Sequence, residues 1–508
     1  MTTSKKLRAW VMTIGAVFCG AAPVGSEAQA ARVEAEITAI ADAMLASIHD
    51  LRTLAALATA ADPRVAAIAR QRLRAAGPAG LAAFTELHAD ALAAALRPRA
   101  DAGALARMLG LSPGTGPSAA ELQLQDSLDE ICAQKDCASA RLYWYTDLEQ
   151  AKAAARASGK PIVSLRLLGD LREELSCANS RFFRALLYPD PAVSAALRDG
   201  FVLHWHSERA APKITIDLGD GRRVETTITG NSAHLVLDSA GRPVDVLPGL
   251  TTPQQFLADL QRAGVLARAV ADKDNTTRAQ ALRRHHETRR EALETSWNAT
   301  LAAVGQPPRP LPRPSSASSP SMPSAPSLPG QAIPVVARAA ANAPAPARRA
   351  PRAGQAAMLA PSKSSVEVPM LLLLGEAVEP LSESALWEQL VDRRAAEVVL
   401  SPASLALVAS QQWRSGDTTQ DAAEQALALA GLRRSLALDG LYNEFALHAE
   451  VHRWFAEGDA ASLDAANLSL GVYRDLFLTP HTDPWLGLAA PSVYTGLVAG
   501  GRSQEARI

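Results

Sequence analysis

The stretch SCANSRFFRALLYPDPAV, residues 176–193, decides how the middle of this 508-residue chain is interpreted. It places Cys177 directly before a run typical of a helix, and VSAALRDG (193–200) predicts a second helix that ends at a glycine. Buried-strand patterns lie on either side, in KPIVSLRLLG (160–169) and FVLHWHS (201–207). Strands that alternate with helices predict an α/β sandwich.

The same alternation continues in both directions along the chain. YTDLEQAKAAARASG (145–159) predicts a helix that ends at Gly159. AHLVLDSAGRPVDVLPG (233–249) predicts two strands around a tight turn. TPQQFLADLQRAG (252–264) predicts a helix that Thr252 caps, and RRVETTITG (222–230) is interpreted as a strand or an extended loop.

This order of elements resembles the thioredoxin superfamily, and in particular its secreted thioredoxin-like members. The resemblance covers about a quarter of the chain. It implies a thioredoxin-like α/β domain with Cys177 at the position of the first active-site cysteine. The other matching residues are Ala151, Ala155, Lys160, Pro161, Asp190, Val193, Asp238, Gly241 and Gly249.

Two residues depart from the family pattern. Ser180 stands at the second cysteine position, and Ala233 stands where the family usually has a cis-proline. We expect a trans peptide bond before Ala233, because a cis bond before any residue but proline is costly. If the site is catalytic, the resemblance implies that Cys177 is the nucleophile, that Ser180 hydrogen-bonds the thiolate, and that an outside thiol completes the cycle.

The reactivity of Cys177 depends on its surroundings. We expect its sulfur at the start of a helix and open to solvent, where the helix N-terminus favours the thiolate. Arg181 and Arg184 would add to that effect, and Glu173 and Glu174 would oppose it. Two alternatives stay open: a buried structural thiol, and a disulfide to an unidentified partner.

The first thirty residues have the pattern of a signal peptide. Lys5, Lys6 and Arg8 precede an apolar run, and Ala28-Gln29-Ala30 offers a cleavage site. The alternative is an uncleaved anchor. We therefore expect an exported protein, periplasmic or extracellular. In that oxidising setting Cys132 and Cys137 are candidates for a disulfide, with two free thiols as the alternative.

Six regions follow from the composition. They are a signal peptide (1–30), a helical N-terminal domain (31–125), the thioredoxin-like domain (138–272), a charged helix (273–304), a disordered linker rich in Pro, Ala and Ser (305–362), and a helical C-terminal domain (363–508). The sequence leaves open whether the end domains pack on the centre.

Charge and hydropathy restrict the partners. The net charge is −1, which gives no reason to expect nucleic-acid binding. No segment after the signal peptide is long and apolar enough to span a bilayer. The linker carries arginines without acids, which permits a weak contact with an anionic envelope surface. The expected chemistry needs no cofactor, and its partners would be protein thiols or disulfides.

Two groups of histidines are candidate metal ligands. Glu444, His448 and His452 are spaced by four and share one stripe of a helix, but a polar stripe is the favoured interpretation. His204 and His206 share one strand face near the strand of His234, and polar packing is again favoured.

Two hypotheses result. The first is an exported thioredoxin-like protein that performs monothiol thiol–disulfide exchange through Cys177. The alternative is a non-catalytic envelope binding or scaffold protein with a degenerate thioredoxin fold.

Overall fold

The computed structural model describes residues 48–95, 118–228, 230–314, 359–360, 367–368, 370–372, 384–414, 422–457 and 464–483, without the side chains of 409–425. The predicted signal peptide (1–30) lies outside these residues, as do residues 315–358 and 361–362 of the predicted linker (305–362). The chain divides into two compact units, Met1–Leu87 and His88–Ile508. In the described part, no helix combines the length and the hydrophobicity that a bilayer crossing requires.

The first unit is helical. Its described helices are α1 (Leu51–Leu57), α2 (Pro63–Ala75) and α3 (Pro78–Leu87). Asp50 and Asp62 cap α1 and α2 by accepting hydrogen bonds from backbone N–H groups of the first turn. Leu73 and Phe84 are fully buried in this unit.

The second unit contains a sheet and most of the helices. The strands are β1 (Trp144–Tyr145), β2 (Ile162–Leu168), β3 (Val202–Arg209), β4 (Lys213–Asp217), β5 (Arg223–Thr227), β6 (Ala233–Leu237) and β7 (Pro243–Pro248). The described helices are α4 (Ala89–Ala95), α5 (Ala119–Cys132), α6 (Leu148–Ser158), α7 (Ala178–Phe182), α8 (Pro191–Gly200), α9 (Pro253–Val270), α10 (Asn275–Ala302), α11 (Ser384–Ala395), α12 (Pro402–Arg414), α13 (Ala422–Tyr442), α14 (Ala449–Glu457) and α15 (Ala465–Gly471). Stretches of π-helix extend α7 (Phe183–Leu187), α13 (Asn443–His448) and α15 (Val472–Leu476).

A five-stranded mixed sheet with the order β1-β3-β2-β6-β7 forms the centre. β3 runs parallel to both β1 and β2, whereas β6 runs antiparallel to β2 and to β7. β4 and β5 form a separate two-stranded hairpin between β3 and β6. The prediction of an α/β region is confirmed at this level.

Local sequence signals account for the central elements. Asp147 caps α6, which ends at Gly159 in the left-handed conformation. Thr252 caps α9, and Pro253 occupies its first position. β2 lies in the middle of the sheet and every residue of it is buried, as its nearly continuous apolar run predicts.

The predicted disulfide is present. Cys132 and Cys137 are bonded, with their Cα atoms 6.4 Å apart. The bond follows the end of α5, where Ala133 adopts a left-handed conformation and turns the chain. It therefore links α5 to the short 3₁₀ helix Cys137–Ser139, just ahead of β1.

The helices after residue 383 pack directly on the sheet, which answers the question that the sequence left open for the C-terminal end. The Asn443 side chain donates a hydrogen bond to Leu250 O (2.6 Å). The Tyr473 hydroxyl donates to Asn231 O (2.9 Å), at the entrance to β6. Side chains of the sheet and of these helices belong to one continuous hydrophobic core.

A glycine next to this contact provides a test. Gly249 has φ +63°, and a Cβ there would lie 2.5 Å from Nδ2 of Asn443. Moving Asn443 away would break its buried bond to Leu250. We predict that Gly249→Ala lowers the free energy of unfolding by about 2–4 kcal/mol, measured by urea denaturation, because backbone strain and a clash add together.

Gly159→Ala is the matched control. Gly159 has φ +68°, but nothing lies within 4 Å of the added Cβ. It should cost only the strain of about 1 kcal/mol. Equal losses in the two variants would contradict the described packing of Asn443 on the sheet.

Candidate functional site

Cys177 occupies the predicted position but not the predicted environment. It is the N-cap residue of α7, so the prediction that it stands at the start of a helix is confirmed. Its relative exposure is 0%, however, and it is the free cysteine among the described residues. The expectation that the sulfur is open to solvent is therefore wrong.

Residues distant in sequence close the space around the sulfur. Cys177 N donates to Leu168 O at the end of β2 (3.1 Å), and the sulfur lies 2.9 Å from Ser232 Oγ. Gly230, with φ +112°, packs so closely that a Cβ there would lie 3.0 Å from Cys177 Cβ. The loop that enters β6 thus covers the position where a substrate would have to approach.

Ser180 does not bond the sulfur, which corrects its predicted role. Its Oγ lies 2.8 Å from Cys177 O and 2.6 Å from Ser176 Oγ. Because a carbonyl oxygen only accepts, the Ser180 hydroxyl donates to Cys177 O and accepts from Ser176. Ser180 therefore stabilises the first turn of α7.

The charged residues near Cys177 have other partners. Arg184 pairs with Asp136 (3.2 Å), both side chains being buried, and donates to Glu174 O. Arg181 donates to Thr227 Oγ1 (3.2 Å), and burial lowers its pKa. These bonds tie α7 to neighbouring loops.

The peptide bond before Ala233 is trans, as predicted, since the described chain has no cis peptide bond. His234 follows Ala233 and is fully buried between Phe183 and Phe256. Its Nε2 lies 2.7 Å from the Tyr188 hydroxyl. Burial lowers the pKa of His234 to about 3, so the ring is neutral.

The three central histidines do not converge. Nδ1 of His204 lies 2.8 Å from the buried Ser164 hydroxyl, and burial lowers the pKa of His204 to about 3. His206 is exposed on the same strand. The favoured interpretation, polar packing, fits these contacts.

A second site is formed around the C-terminal helices. The rings of His448 and His452 lie on one stripe, with centroids 4.2 Å apart, as the spacing predicts. Glu444 belongs to the same stripe but pairs with Arg394 (3.3 Å). The partners of the two histidines are instead Asp245 on β7 and His286 on α10.

These four side chains form the cluster that we name the histidine cluster: Asp245, His286, His448 and His452. All four residues are buried. His448 Nε2 lies 3.1 Å from Asp245 Oδ1, and the Nδ1 atoms of His286 and His452 lie 2.8 Å apart. Single ligand atoms of Asp245, His286 and His452 all lie within 4.8 Å of one another.

The charges in the cluster follow from these contacts. Burial alone would raise the pKa of Asp245, but His448 holds it below its usual value. Burial alone would lower the pKa of His448, but Asp245 raises it. Burial lowers the pKa of His286 to about 4, and burial together with His448 lowers that of His452. The cluster therefore holds an ion pair and two neutral imidazoles.

A small pocket, with room for about one water molecule, lies beside the cluster. His448 lines it on one side. The other polar side chains in its wall are Thr251, Asp259, Asn443 and Glu444, and Leu247 and Phe256 contribute apolar surface.

No family model, curated protein or solved structure matches the chain.

The sequence patterns do not place Asp245 or His286 in a site. Asp245 had one usable signal, because it is an acid within the otherwise apolar strand PVDVLP. An acid buried in such a strand requires a partner. His286 gave no such signal, since it lies in a helix rich in charged residues.

The neutral state of His234 predicts an acid dependence of stability. An unfolded histidine takes up a proton near pH 6.5, whereas folded His234 does so only near pH 3. The folded pKa is the lower one, so its contribution is complete above pH 6.5 and is lost as the pH falls towards 3. We predict that His234→Gln reduces the pH dependence of the unfolding free energy between pH 6.5 and 4.5 by about 1.4 kcal/mol per pH unit.

The measurement is urea denaturation of both proteins at pH 7.5, 6.5, 5.5 and 4.5, and it compares slopes rather than absolute stabilities. Glutamine keeps a hydrogen-bond acceptor for Tyr188. Identical slopes in the two proteins would refute a neutral buried His234.

Proposed function

We propose that this chain is an exported thioredoxin-like protein that acts as a non-catalytic binding scaffold. The observation that carries the proposal is the complete burial of the Cys177 sulfur against Ser232, with serine at the position of a resolving thiol. A nucleophilic thiolate must be reached by the disulfide that it attacks.

The strand order supports the thioredoxin-like part of the proposal. In that superfamily a parallel β-α-β unit is followed by an antiparallel hairpin and a closing helix. Here β1 and β2 both pair in parallel with β3, β6 and β7 form the hairpin, and α9 follows. The start of α7 after β2 is the family's active-site position.

The segment 464–483 supports the non-catalytic part. Tyr473 bonds Asn231 O, in the loop that covers Cys177. Ser469 Oγ donates to Glu208 Oε1 (2.7 Å), and Arg209 donates to Asp483 O (2.9 Å), both at the end of β3. These contacts join the segment to the end of β3 and to the loop that covers Cys177.

The proposed location of the protein is the cell envelope or the outside of the cell. The proposal rests on the signal-peptide pattern of residues 1–30 and on the Cys132–Cys137 disulfide, a bond typical of oxidising compartments. The partners of such a scaffold would be other envelope components, and the arginines of residues 305–362 would add a weak contact with an anionic surface.

The test is the reactivity of Cys177 in a Cys19→Ser background, where it is the remaining free thiol. We predict that iodoacetamide modifies the folded protein at least about 100-fold more slowly than the urea-unfolded protein, because the sulfur is reached only through opening of the core. The measurement is the alkylation rate by mass spectrometry, from pH 6 to 9.5.

Cys177→Ala serves as the matched variant in a glutathione-coupled disulfide-exchange assay. A scaffold gives the same rate with and without the thiol. Rapid alkylation of the folded protein, with an apparent pKa well below about 8.5, would instead establish thiol exchange at Cys177.

A further inference from the structure

We propose that Asp245, His286 and His452 form a binding site for one divalent transition-metal ion, with zinc as the best match, and that His448 orients Asp245 as a positioning residue. The proposal goes beyond the scaffold function and does not depend on it.

The set of donor atoms suits a transition-metal ion. Two imidazoles and a carboxylate, from three separate elements, offer ligand atoms within 4.8 Å of one another. Two histidines and one acidic residue form a well-known set for zinc, and imidazole also suits copper, nickel and iron. A Mg²⁺ or Ca²⁺ ion would require more oxygen ligands than this site offers.

The hydrogen bonds of His286 orient its ring as a ligand. Its Nε2 lies 3.0 Å from Val244 O, which can only accept, so Nε2 carries the proton. Nδ1 of the neutral ring therefore carries no proton, and its lone pair is directed towards His452. Metal-binding histidines commonly donate their second N–H to a backbone carbonyl in this way.

His452 carries an unsatisfied nitrogen. Because His286 Nδ1 accepts, Nδ1 of His452 must donate across the 2.8 Å contact. Its Nε2 then has a lone pair, and this buried atom has no hydrogen-bond partner in the described structure. A buried polar atom without a partner costs about 1–3 kcal/mol, so the two imidazoles do not satisfy each other completely.

A small adjustment of the rings accommodates the ion. Two nitrogens at about 2.0–2.1 Å from a tetrahedral zinc lie about 3.3 Å apart. If both Nδ1 atoms bind, the present separation of 2.8 Å must therefore grow by about 0.5 Å. In that arrangement the proton of His452 moves from Nδ1 to Nε2, and both rings stay neutral.

His448 supports the carboxylate without competing for the ion. Its Nε2 lies 3.1 Å from Oδ1 of Asp245, and Oδ1 also accepts from Val246 N (2.8 Å). A carboxylate can keep such bonds on one oxygen while the other binds a metal. Groups that hold a ligand in this manner typically change metal affinity 10–100-fold when removed.

The experiment uses the full chain, treated with a chelator, dialysed, and then titrated with Zn²⁺ alone. We expect one zinc ion per chain by elemental analysis after gel filtration, and a rise in the thermal unfolding midpoint with zinc concentration. A Co²⁺ titration should give the visible absorption of a four- or five-coordinate site.

The decisive variants are His286→Gln and His452→Gln, each of which removes a ligand and should weaken zinc binding by more than about 100-fold. His448→Gln should weaken it by about 10–100-fold. His285→Gln is the matched control, because its side chain neighbours His286 on the same helix and lies outside the histidine cluster. It should bind zinc with unchanged affinity.

Circular dichroism establishes whether each variant folds. If the ligand variants do not fold, the wild-type titration decides alone. A folded wild-type chain that binds no zinc and gains no stability from it would overturn the proposal, as would unchanged binding in a folded His286→Gln protein.

Discussion

The buried ion pair between Asp245 and His448 is the interaction on which the arrangement of the second unit depends. Its carboxylate belongs to β7, and its imidazole lies 203 residues later, at the end of the π-helical stretch before α14. Breaking a buried pair by removing one partner typically costs about 3–5 kcal/mol, because the other charge is left unpaired. The pair therefore selects one placement of the C-terminal helices on the sheet.

The surroundings of Cys177 show that a helix N-terminus does not by itself make a reactive thiol. The sulfur caps α7, where the helix dipole favours a thiolate. The same sulfur is enclosed by Leu168, Gly230 and Ser232, so solvent and substrates are excluded. The neighbouring basic side chains of Arg184 and Arg181 are engaged with Asp136 and Thr227. Access, rather than the local helix, decides the chemistry here.

The sequence predicted the local elements well and the contacts between distant elements poorly. Caps and terminators are local, so the helix from Leu148 to its end at Gly159 was predictable. The hairpin strand Lys213–Asp217 was missed, because its residues KITID are half exposed and give only a weak alternation. The burial of Cys177 depends on a loop 53 or more residues later, and no periodicity encodes that approach.

The histidine cluster illustrates the same limit. The stripe of His448 and His452 follows from helical spacing and was predictable. Helical spacing offers Glu444 as the carboxylate of this stripe, because it lies in register on the same helix. In the structure the carboxylate beside His448 is instead that of Asp245, from the sheet. A helix stripe specifies which side chains face together, but the partner that completes a buried site comes from tertiary packing.

Buried polar atoms without a hydrogen-bond partner occur at both sites. Near Cys177 they are Nε of Arg181, Nε of Arg184 and Oδ1 of Asn179, although the hydroxyls of Ser176, Ser180 and Ser232 all have partners. In the histidine cluster, Nε2 of His452 is buried without one. Apolar residues of similar volume would often give a core at least as stable as a buried ionic group does. Three imidazoles and a carboxylate in one core are thus better explained by something that they bind than by the stability that they add.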